Sequence, residues 1–265
     1  MSFDFDPTLA LFNSARLSQE MADFGIAGFG GCSFTKGIST CKSPILGIKH
    51  FYVLHQVHGS VLAYPKGPEQ LAYAAPLRKV GLRSFPDNAD GWFLSKKDWL
   101  RSGIAFCIKT ADCMPIILFA SEHVAMLHAG WRGLQQGIII NALNHFKAVG
   151  DLPHYAALGP SADPTLYEVG SEFIEMFPDS IRQSSQKIYT FNMYQEAIRQ
   201  LEEGAFSGTL ESSNVHTMSD KRLFSYRSSQ QHNTEGEVPI SDAQNDRNYA
   251  LIGFLQPKDT PNILG

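Results

Sequence analysis

The chain has 265 residues, a formal net charge of −4, a pI of about 6.1 and 43% hydrophobic residues. This length and apolar content suffice for one large core, so we expect a single domain over residues 1–265. The acidic balance and the lack of a Lys/Arg cluster argue against nucleic-acid binding. No apolar run reaches the ~18 residues of a membrane-spanning helix, which argues against a membrane partner.

The four cysteines, Cys32, Cys41, Cys107 and Cys113, form no C-x-x-C pair and no dense framework. A disulfide scaffold is therefore not expected, and a reducing compartment fits better. The first residues lack the basic and apolar regions of a signal peptide. We therefore expect a cytoplasmic protein.

The predicted elements of the first part of the chain are few. A short helix is expected within residues 1–22, and the β-branched and aromatic segment 51–57 predicts a strand. Four prolines between residues 65 and 90 indicate a loop with one short element.

The centre of the chain has the most regular pattern. Apolar runs at 104–108, 115–120 and 123–127 predict three strands, the last two joined in a tight hairpin. Apolar residues at helical spacing predict a helix over 134–149.

The remaining segments complete a mixed pattern. A polar stretch over 228–246 predicts a surface loop. Because strands and helices do not alternate strictly, the pattern favours an α+β fold over a doubly wound sheet. The other predicted elements are a strand at 154–159, helices at 167–177 and 193–203, and late strands at 215, 224–226 and 249–254.

Three short motifs contain the residues suited to chemistry. They are Gln56-Val57-His58-Gly59, Thr110-Ala111-Asp112-Cys113-Met114-Pro115 and Leu127-His128-Ala129-Gly130-Trp131-Arg132-Gly133. Each places a histidine or a cysteine at the end of a predicted strand, beside glycine or proline. Side chains from separate segments can converge at such strand ends.

His58, Cys113 and His128 form a candidate metal site. Cys113 precedes one strand of the predicted hairpin and His128 ends the other, so the two lie side by side. Two imidazoles and one thiolate suit Zn²⁺ and leave a fourth position for water. Zinc lowers the pKa of such a water to about 7.

Readings without a metal stay open beside this one. Cys113 and His128 could form a nucleophile–base dyad. A single histidine at a strand end is usually a hydrogen-bonded structural residue, and a buried cysteine such as Cys107 is usually a small hydrophobe. His55, three positions before His58 on a strand, points to the opposite face and is a poor fellow ligand.

Taken together, the three motifs resemble the laccase-domain purine nucleoside phosphorylase family, also called the multi-copper polyphenol oxidase family. The likeness runs from about Gly28 to Leu255. It continues in Ala89-Asp90-Gly91, Leu158-Gly159-Pro160, Tyr167-Glu168-Val169-Gly170, Phe224-Ser225-Tyr226-Arg227 and the segment from Arg247 to Ile252.

The resemblance implies a four-layer α/β/β/α sandwich with mixed sheets, shared with the catalytic domain of cytotoxic necrotizing factor. It implies metal ligation by His58, Cys113 and His128. The implied activities are phosphorolysis of adenosine, inosine and S-methyl-5′-thioadenosine, and hydrolytic deamination of adenosine. The implied partners are therefore a small-molecule nucleoside and phosphate.

The sequence departs from the family pattern around the implied substrate pocket. Lys36 stands where the family has arginine, and Ser161 to Leu166 replace the expected cysteines after Gly159-Pro160. The family's C-T pair is His216-Thr217, and its R-R pair is Arg227-Ser228. The metal motifs are intact, whereas part of the pocket is rewritten.

The two implied reactions need different groups. In deamination, zinc-activated water attacks C6 of the purine and a carboxylate moves protons, for which Asp112 or Glu168 is the candidate. Asp112 could instead orient a ligand. Phosphorolysis needs cations to hold phosphate; the candidates are Lys36, Arg132, Arg227 and Arg247.

Three alternatives remain. An amide hydrolase acting on peptidoglycan precursors could use the same metal or Cys113. A copper-dependent polyphenol oxidase is possible because Cys and His also accept copper, although the nine histidines contain no H-x-H pair. A metal-stabilised binding protein would need a fourth protein ligand, which His55 or His123 would supply.

Overall fold

The computed structural model describes residues 3–7, 9, 11–34, 45, 47–71, 74–76, 82–185, 187–234 and 247–256. Within these residues, no helix is both long and apolar enough to cross a membrane. The strands, in chain order, are β1 (Asp4–Asp6), β2 (Leu11–Asn13), β3 (Gly25–Gly30), β4 (His50–His55), β5 (Leu62–Ala63), β6 (Ala75–Pro76), β7 (Leu82–Asn88), β8 (Gly91–Ser95), β9 (Ile104–Thr110), β10 (Met114–Phe119), β11 (His123–Ala129), β12 (Tyr155–Leu158), β13 (Glu168–Val169), β14 (Ile181–Ser185), β15 (Ile188–Phe191), β16 (Thr209–Ser212) and β17 (Asn248–Phe254).

The helices are mostly short. A 3₁₀ turn covers Pro68–Leu71. The α-helices are α1 (Ala15–Glu20), α2 (Lys96–Trp99), α3 (Trp131–Gln135), α4 (Ile138–Val149), α5 (Phe173–Met176), α6 (Met193–Glu203) and α7 (Tyr226–Thr234).

Two large mixed sheets form the centre of the fold. The eight-stranded sheet has the order β1-β2-β3-β17-β9-β4-β7-β6, and the six-stranded sheet has the order β16-β12-β10-β11-β8-β5. Both contain antiparallel and parallel pairs, for example β9–β17 antiparallel and β4–β9 parallel. The third sheet has only three strands, β13-β15-β14.

The two large sheets pack face to face. Phe106 and Ile252 of the eight-stranded sheet share one buried cluster with Trp92, Ile117 and Met126 of the six-stranded sheet. This cluster is possible because inward-facing apolar residues alternate along each strand. The Trp92 indole also donates a hydrogen bond across the sheets to the Cys107 carbonyl, at 3.0 Å.

The outer faces of the two sheets are covered differently. Phe93 and Leu127 of the six-stranded sheet pack against Phe146 of α4 and Leu201 of α6. On the eight-stranded sheet, the outer cluster includes Phe34, Ile45 and Ile48. Three of the four predicted layers are thus formed by described residues. The α+β class with mixed sheets is confirmed.

Most predicted elements in the centre of the chain are confirmed. The hairpin is β10 and β11, which pair antiparallel from Met114 opposite Ala129 to Phe119 opposite Val124. The predicted helix at 193–203 is α6. The predicted helix over 134–149 is divided into α3 and α4, because Gly137 adopts a left-handed φ of 71°.

Other predicted elements are wrong. Residues 167–177 form β13 and the single turn of α5 instead of one helix, and Glu168 pairs with Thr190 of β15. The expected strand at 224–226 is absent from the described residues: α7 begins at Tyr226, and the Ser225 hydroxyl before it accepts a hydrogen bond from the Ser228 N–H. The expected loop over 65–90 contains β7, a full strand of the large sheet. Of the expected polar loop over 228–246, residues 228–234 are part of α7, and residues 235–246 lie outside the described residues.

Candidate metal centre and its cavity

The β10–β11 hairpin brings Cys113 and His128 to the same end of the six-stranded sheet. His128 is the strand partner of Pro115, and Cys113 comes directly before β10. Gly130 makes room for the thiol, since a Cβ atom at Gly130 would lie only 2.7 Å from Cys113 Sγ. Glycine at this position is therefore a steric requirement of the site.

His58 reaches the same place from the loop that follows β4. The buried Asp90 carboxylate accepts hydrogen bonds from three successive backbone N–H groups of this loop. They are those of Val57 at 3.2 Å, His58 at 2.9 Å and Gly59 at 2.6 Å. His58 has a positive φ of 60°, a conformation uncommon for a residue with a side chain. One carboxylate thus fixes the whole loop.

The same carboxylate orients His128. Asp90 Oδ1 lies 2.8 Å from His128 Nδ1, and both side chains are buried. This contact makes Nδ1 the protonated nitrogen and leaves Nε2 as the donor for a metal. Burial alone would raise the pKa of Asp90, but the hydrogen bonds from His128 and Gly59 hold it below its usual value.

Donor atoms of His58, Cys113 and His128 all lie within 4.8 Å of one another. The two imidazole rings meet edge to face with centroids 4.9 Å apart. No other His, Cys, Asp or Glu within the described part of the chain joins this cluster. His55 instead contacts Asn88 and His123 contacts Asp151, as expected for residues that point away.

The donor set fits a zinc ion. One thiolate and two imidazoles are common zinc ligands, and three protein ligands with an open position are typical of catalytic zinc. His128 carries the carboxylate partner that metal-bound histidines usually have. The cluster could therefore bind a metal ion.

Without a metal, the cluster is an ion pair. Burial by itself would raise the pKa of the Cys113 thiol. The charges of His128 and His58, and the hydrogen bonds that these two rings form with the sulfur, lower that pKa to about 6. Burial would lower the pKa of His128, but Cys113 and Asp90 raise it to about 9. The metal-free site at neutral pH therefore holds a thiolate beside an imidazolium.

The cluster opens into a cavity of about 440 Å³. Its walls combine aromatic and cationic side chains, with Asp112 as the carboxylate among them. The lining residues are Gln56, His58, Lys109, Ala111, Asp112, Cys113, His128, Trp131, Arg132, Tyr167, Tyr226, Arg227 and Arg247.

Asp112 joins two segments behind the cluster. Its Oδ1 accepts a hydrogen bond from Thr217 Oγ1 at 2.6 Å, and its Oδ2 accepts one from the Arg227 backbone N–H at 2.8 Å. The carboxylate thus sits at the N-terminus of α7, where negative charge is favourable. Asp112 is buried and has a φ of 83°, so its backbone is held in a conformation rare for non-glycine residues.

The predicted cationic residues meet at this cavity with one exception. The Arg132 guanidinium lies 4.1 Å from the centroid of the Trp131 ring. The Arg227 guanidinium lies 4.6 Å from the centroid of the Tyr167 ring. Arg247 also lines the cavity. Glu168, the second candidate for proton transfer, is exposed and is not among the lining residues.

The exception is Lys36, which lies outside the described residues, so its predicted role in substrate binding stays a prediction.

The sequence motifs did not identify Lys109, or the role of Asp90. Lys109 is the first charge after the apolar run 104–108, directly before the cysteine motif. Asp90 is an acidic residue before the apolar strand β8. Both are charged residues directly beside apolar strand segments. A charge in such a place is unusual, and this is the sequence feature that could have indicated a role for them.

Comparisons with known proteins identify relatives of this chain. Residues 40–238 match the family model described as multi-copper polyphenol oxidoreductase laccase. A purine nucleoside phosphorylase of Aquifex aeolicus is 42% identical over 103 residues, covering 39% of this chain and 50% of that protein. A purine nucleoside phosphorylase of Haemophilus influenzae is 28% identical over 134 residues, covering 45% of this chain and 53% of that protein. The chain thus spans about half the length of these two relatives.

The fold has a solved counterpart. The crystal structure of YlmD from Geobacillus stearothermophilus has a TM-score of 0.72, with 17% identity over 96% of this chain and 99% of that one. Since the family model covers most of the sequence, from residue 40 to residue 238, this chain belongs to the multi-copper polyphenol oxidoreductase laccase family.

Proposed function

We propose that this protein is a zinc-dependent purine nucleoside phosphorylase that also deaminates adenosine. Its substrates would be adenosine, inosine and S-methyl-5′-thioadenosine. One observation carries the proposal: a three-donor metal cluster and four cationic side chains share one cavity of about 440 Å³. Two relatives that match part of the chain are named purine nucleoside phosphorylases, which supports the same activity.

The cavity suits a nucleoside in size and chemistry. Its volume lies within the range of about 300–1,000 Å³ typical of small-molecule sites. Tyr226 offers a ring face on which a purine can stack, whereas the rings of Trp131 and Tyr167 each carry an arginine guanidinium over one face. Tyr226 is 52% exposed, so its ring is accessible at the rim.

The cations suit the second substrate. Phosphorolysis joins a phosphate oxygen to C1′ of the ribose as the bond to the base breaks. Arg132, Arg227 and Arg247 can hold and orient that phosphate through charge-assisted hydrogen bonds. We assign Arg132 to the reacting phosphate, because it follows the metal motif directly.

His58, Cys113 and His128 would hold the zinc ion. When bound, zinc supplies a Lewis acid that polarises an oxygen atom and acidifies water. Asp90 keeps two of the ligands in place through the His58 loop and His128 Nδ1. We assign Asp112 to proton transfer in deamination, since it lines the cavity beside Cys113.

Metal analysis and a substrate panel test the proposal. Purified protein should contain about one zinc per chain, and Cys113→Ala should lose both zinc and activity. Chromatography in phosphate buffer should detect free base and ribose 1-phosphate from adenosine or inosine, and inosine from adenosine. Cys32→Ala is the matched control, because that cysteine lies outside the cluster.

Each other outcome contradicts part of the proposal. Full metal content in Cys113→Ala would refute the ligand assignment. Turnover of a muramyl peptide but of no purine nucleoside would favour the amide hydrolase. Copper in place of zinc, with oxidation of a polyphenol, would favour the oxidase, although the described residues contain only one metal-ligand cluster.

A further inference from the structure

Lys109 interrupts the pattern of β9. Ala105 and Cys107 belong to the buried apolar cluster on the outer face of the eight-stranded sheet. Successive side chains of a strand alternate between faces, so Lys109 continues the row of Ala105 and Cys107. A half-buried lysine at the end of an apolar row is unfavourable unless something compensates its charge.

The backbone of Lys109 is held on both sides. The Gln56 side chain forms two hydrogen bonds with it, one to the carbonyl and one from the N–H, each 2.8 Å long. On the other side, Lys109 is the strand partner of Tyr249. Lys109 is thus fixed at the end of β9, and its side chain lines the cavity.

A second cation lies on the same face. Arg247 comes two residues before Tyr249, so it occupies the position diagonal to Lys109. Both residues line the cavity. Burial lowers the pKa of Lys109, and the charge of Arg247 lowers it further. Two cationic side chains therefore lie side by side on the wall of the cavity.

The buried Lys96 provides a contrast. Its ammonium group donates hydrogen bonds to the Ala120 carbonyl at 2.7 Å and the Ser121 carbonyl at 3.2 Å. Within the described part of the chain, the Lys109 ammonium has neither such a hydrogen bond nor a salt bridge. Lys96 has a structural role, whereas the surroundings of Lys109 leave a role toward a ligand.

We propose that Lys109 and the adjacent Arg247 form a subsite for phosphoryl oxygens at the wall of the cavity. The inference rests on the proposed function for the reaction that uses this group, and it adds a residue that the motifs do not contain. The ligand is a phosphate dianion, either inorganic phosphate or the 5′-phosphate of a nucleotide. Arginine binds phosphate oxygens in a planar fork and lysine as a point charge, so the pair is complementary.

Calorimetric titration of the zinc-loaded protein tests the subsite. One series uses inorganic phosphate and another uses adenosine 5′-monophosphate. Lys109→Met should weaken binding in at least one series by about 10- to 100-fold, the range expected for a hydrogen bond to a charged group. Loss only with inorganic phosphate assigns the subsite to the free anion, and loss only with the nucleotide assigns it to the 5′-phosphate.

Three further variants keep the test decisive. Lys109→Arg retains the charge and should bind nearly as well as the wild type. Arg247→Met removes the second cation and should weaken the same series, which gives an independent test if Lys109→Met does not fold. Lys147→Met is the matched control, because Lys147 is exposed on α4 and away from the cavity. Zinc content and thermal unfolding verify that each variant is folded and loaded.

The failure of this inference is distinct from that of the proposed function. Unchanged affinity of Lys109→Met for both anions, or no anion binding by the wild type, would overturn the subsite. Nucleoside phosphorolysis with an unchanged KM for phosphate in that variant, together with an unchanged affinity for the nucleotide, would overturn it too, while leaving the proposed function intact. Anion binding that depends on Lys109, in a protein that converts no nucleoside, would support the subsite and refute the proposed function.

Discussion

Asp90 and His128 are joined twice. The Asp90 carboxylate contacts His128 Nδ1 at 2.8 Å, and the Asp90 carbonyl accepts a hydrogen bond from the His128 backbone N–H at 2.7 Å. The same carboxylate accepts a hydrogen bond from the His58 backbone N–H at 2.9 Å. One buried aspartate therefore sets the positions of two of the three candidate metal ligands.

Asp90→Asn should weaken zinc binding by about 10- to 100-fold, as expected when the partner of a ligating histidine is removed. The asparagine amide cannot accept as many hydrogen bonds as the carboxylate, so the loop that contains His58 loses some of the hydrogen bonds that hold it in place. Competition with a zinc chelator measures the affinity. Asp151→Asn is the matched control, because Asp151 likewise binds the His123 ring and three backbone N–H groups, but outside the cluster. Equal zinc affinity in both variants would contradict the role of Asp90.

Gly130→Ala should weaken zinc binding by about tenfold or more without unfolding the protein. The added Cβ would lie 2.7 Å from Cys113 Sγ, so the sulfur must move, whereas metal sites tolerate displacements of only about 0.2 Å. Gly59→Ala is the control within the same site, since its Cβ would meet Asp90 Oδ2 at an ordinary 3.5 Å. A Gly130→Ala protein with wild-type zinc affinity would show that the sulfur is not a ligand.

In the metal-free protein, Cys113 should react with iodoacetamide along a titration curve centred near pH 6. The thiolate is the nucleophile, and the pKa of Cys113 is lowered from 9.0 to about 6. The reaction is therefore fast above pH 6 and slows as the pH falls below it. Mass spectrometry identifies the alkylated residue at each pH.

Cys107 serves as the internal control of that experiment. It is fully buried, and burial raises its pKa, so it should remain unmodified in the folded protein. Zinc should protect Cys113 from alkylation. A titration curve for Cys113 centred near pH 9 would instead indicate that no imidazolium stands beside the thiol.

Thr217→Val should destabilise the protein by about 1–3 kcal/mol, because it leaves Asp112 Oδ1 buried without its hydroxyl donor. Urea unfolding of the zinc-loaded protein measures the loss. Thr165→Val is the matched control, since Thr165 Oγ1 makes an equally short bond of 2.6 Å to Asp163 at an exposed position, and should change stability by about 0.5 kcal/mol at most. Equal losses in the two variants would contradict the importance of the buried pair.

Asp112→Asn separates proton transfer from positioning. If Asp112 transfers protons, the Asp112→Asn variant should keep its zinc. Its pH–rate profile for adenosine deamination should lose the limb that results from ionisation of the Asp112 carboxylate. If it only holds Thr217 and the start of α7, the profile should keep its shape while turnover falls. Zinc content, measured on the same sample, excludes loss of the metal as the cause.

Local sequence patterns were enough to predict the central hairpin and the three candidate ligands. Strand patterns at 115–120 and 123–127 predict a short antiparallel pair, and its geometry places Cys113 beside His128. These predictions succeed because both the alternation of side chains and the hairpin connection are local in sequence. The Gln56-Val57-His58-Gly59 motif at the end of a predicted strand then added His58, which is 55 residues from Cys113 by numbering.

The residues around those ligands could not be predicted in the same way. Asp90 is separated from His58 by 32 residues and from His128 by 38, and it reaches both because β8 lies beside β11 in the sheet. Lys109 faces the cavity because β9 lies between Gln56 and β17. Such contacts depend on the order and register of strands distant in sequence, which no local periodicity encodes. The same reason explains why residues 167–177, whose apolar spacing indicates a helix, instead add β13 to the small sheet.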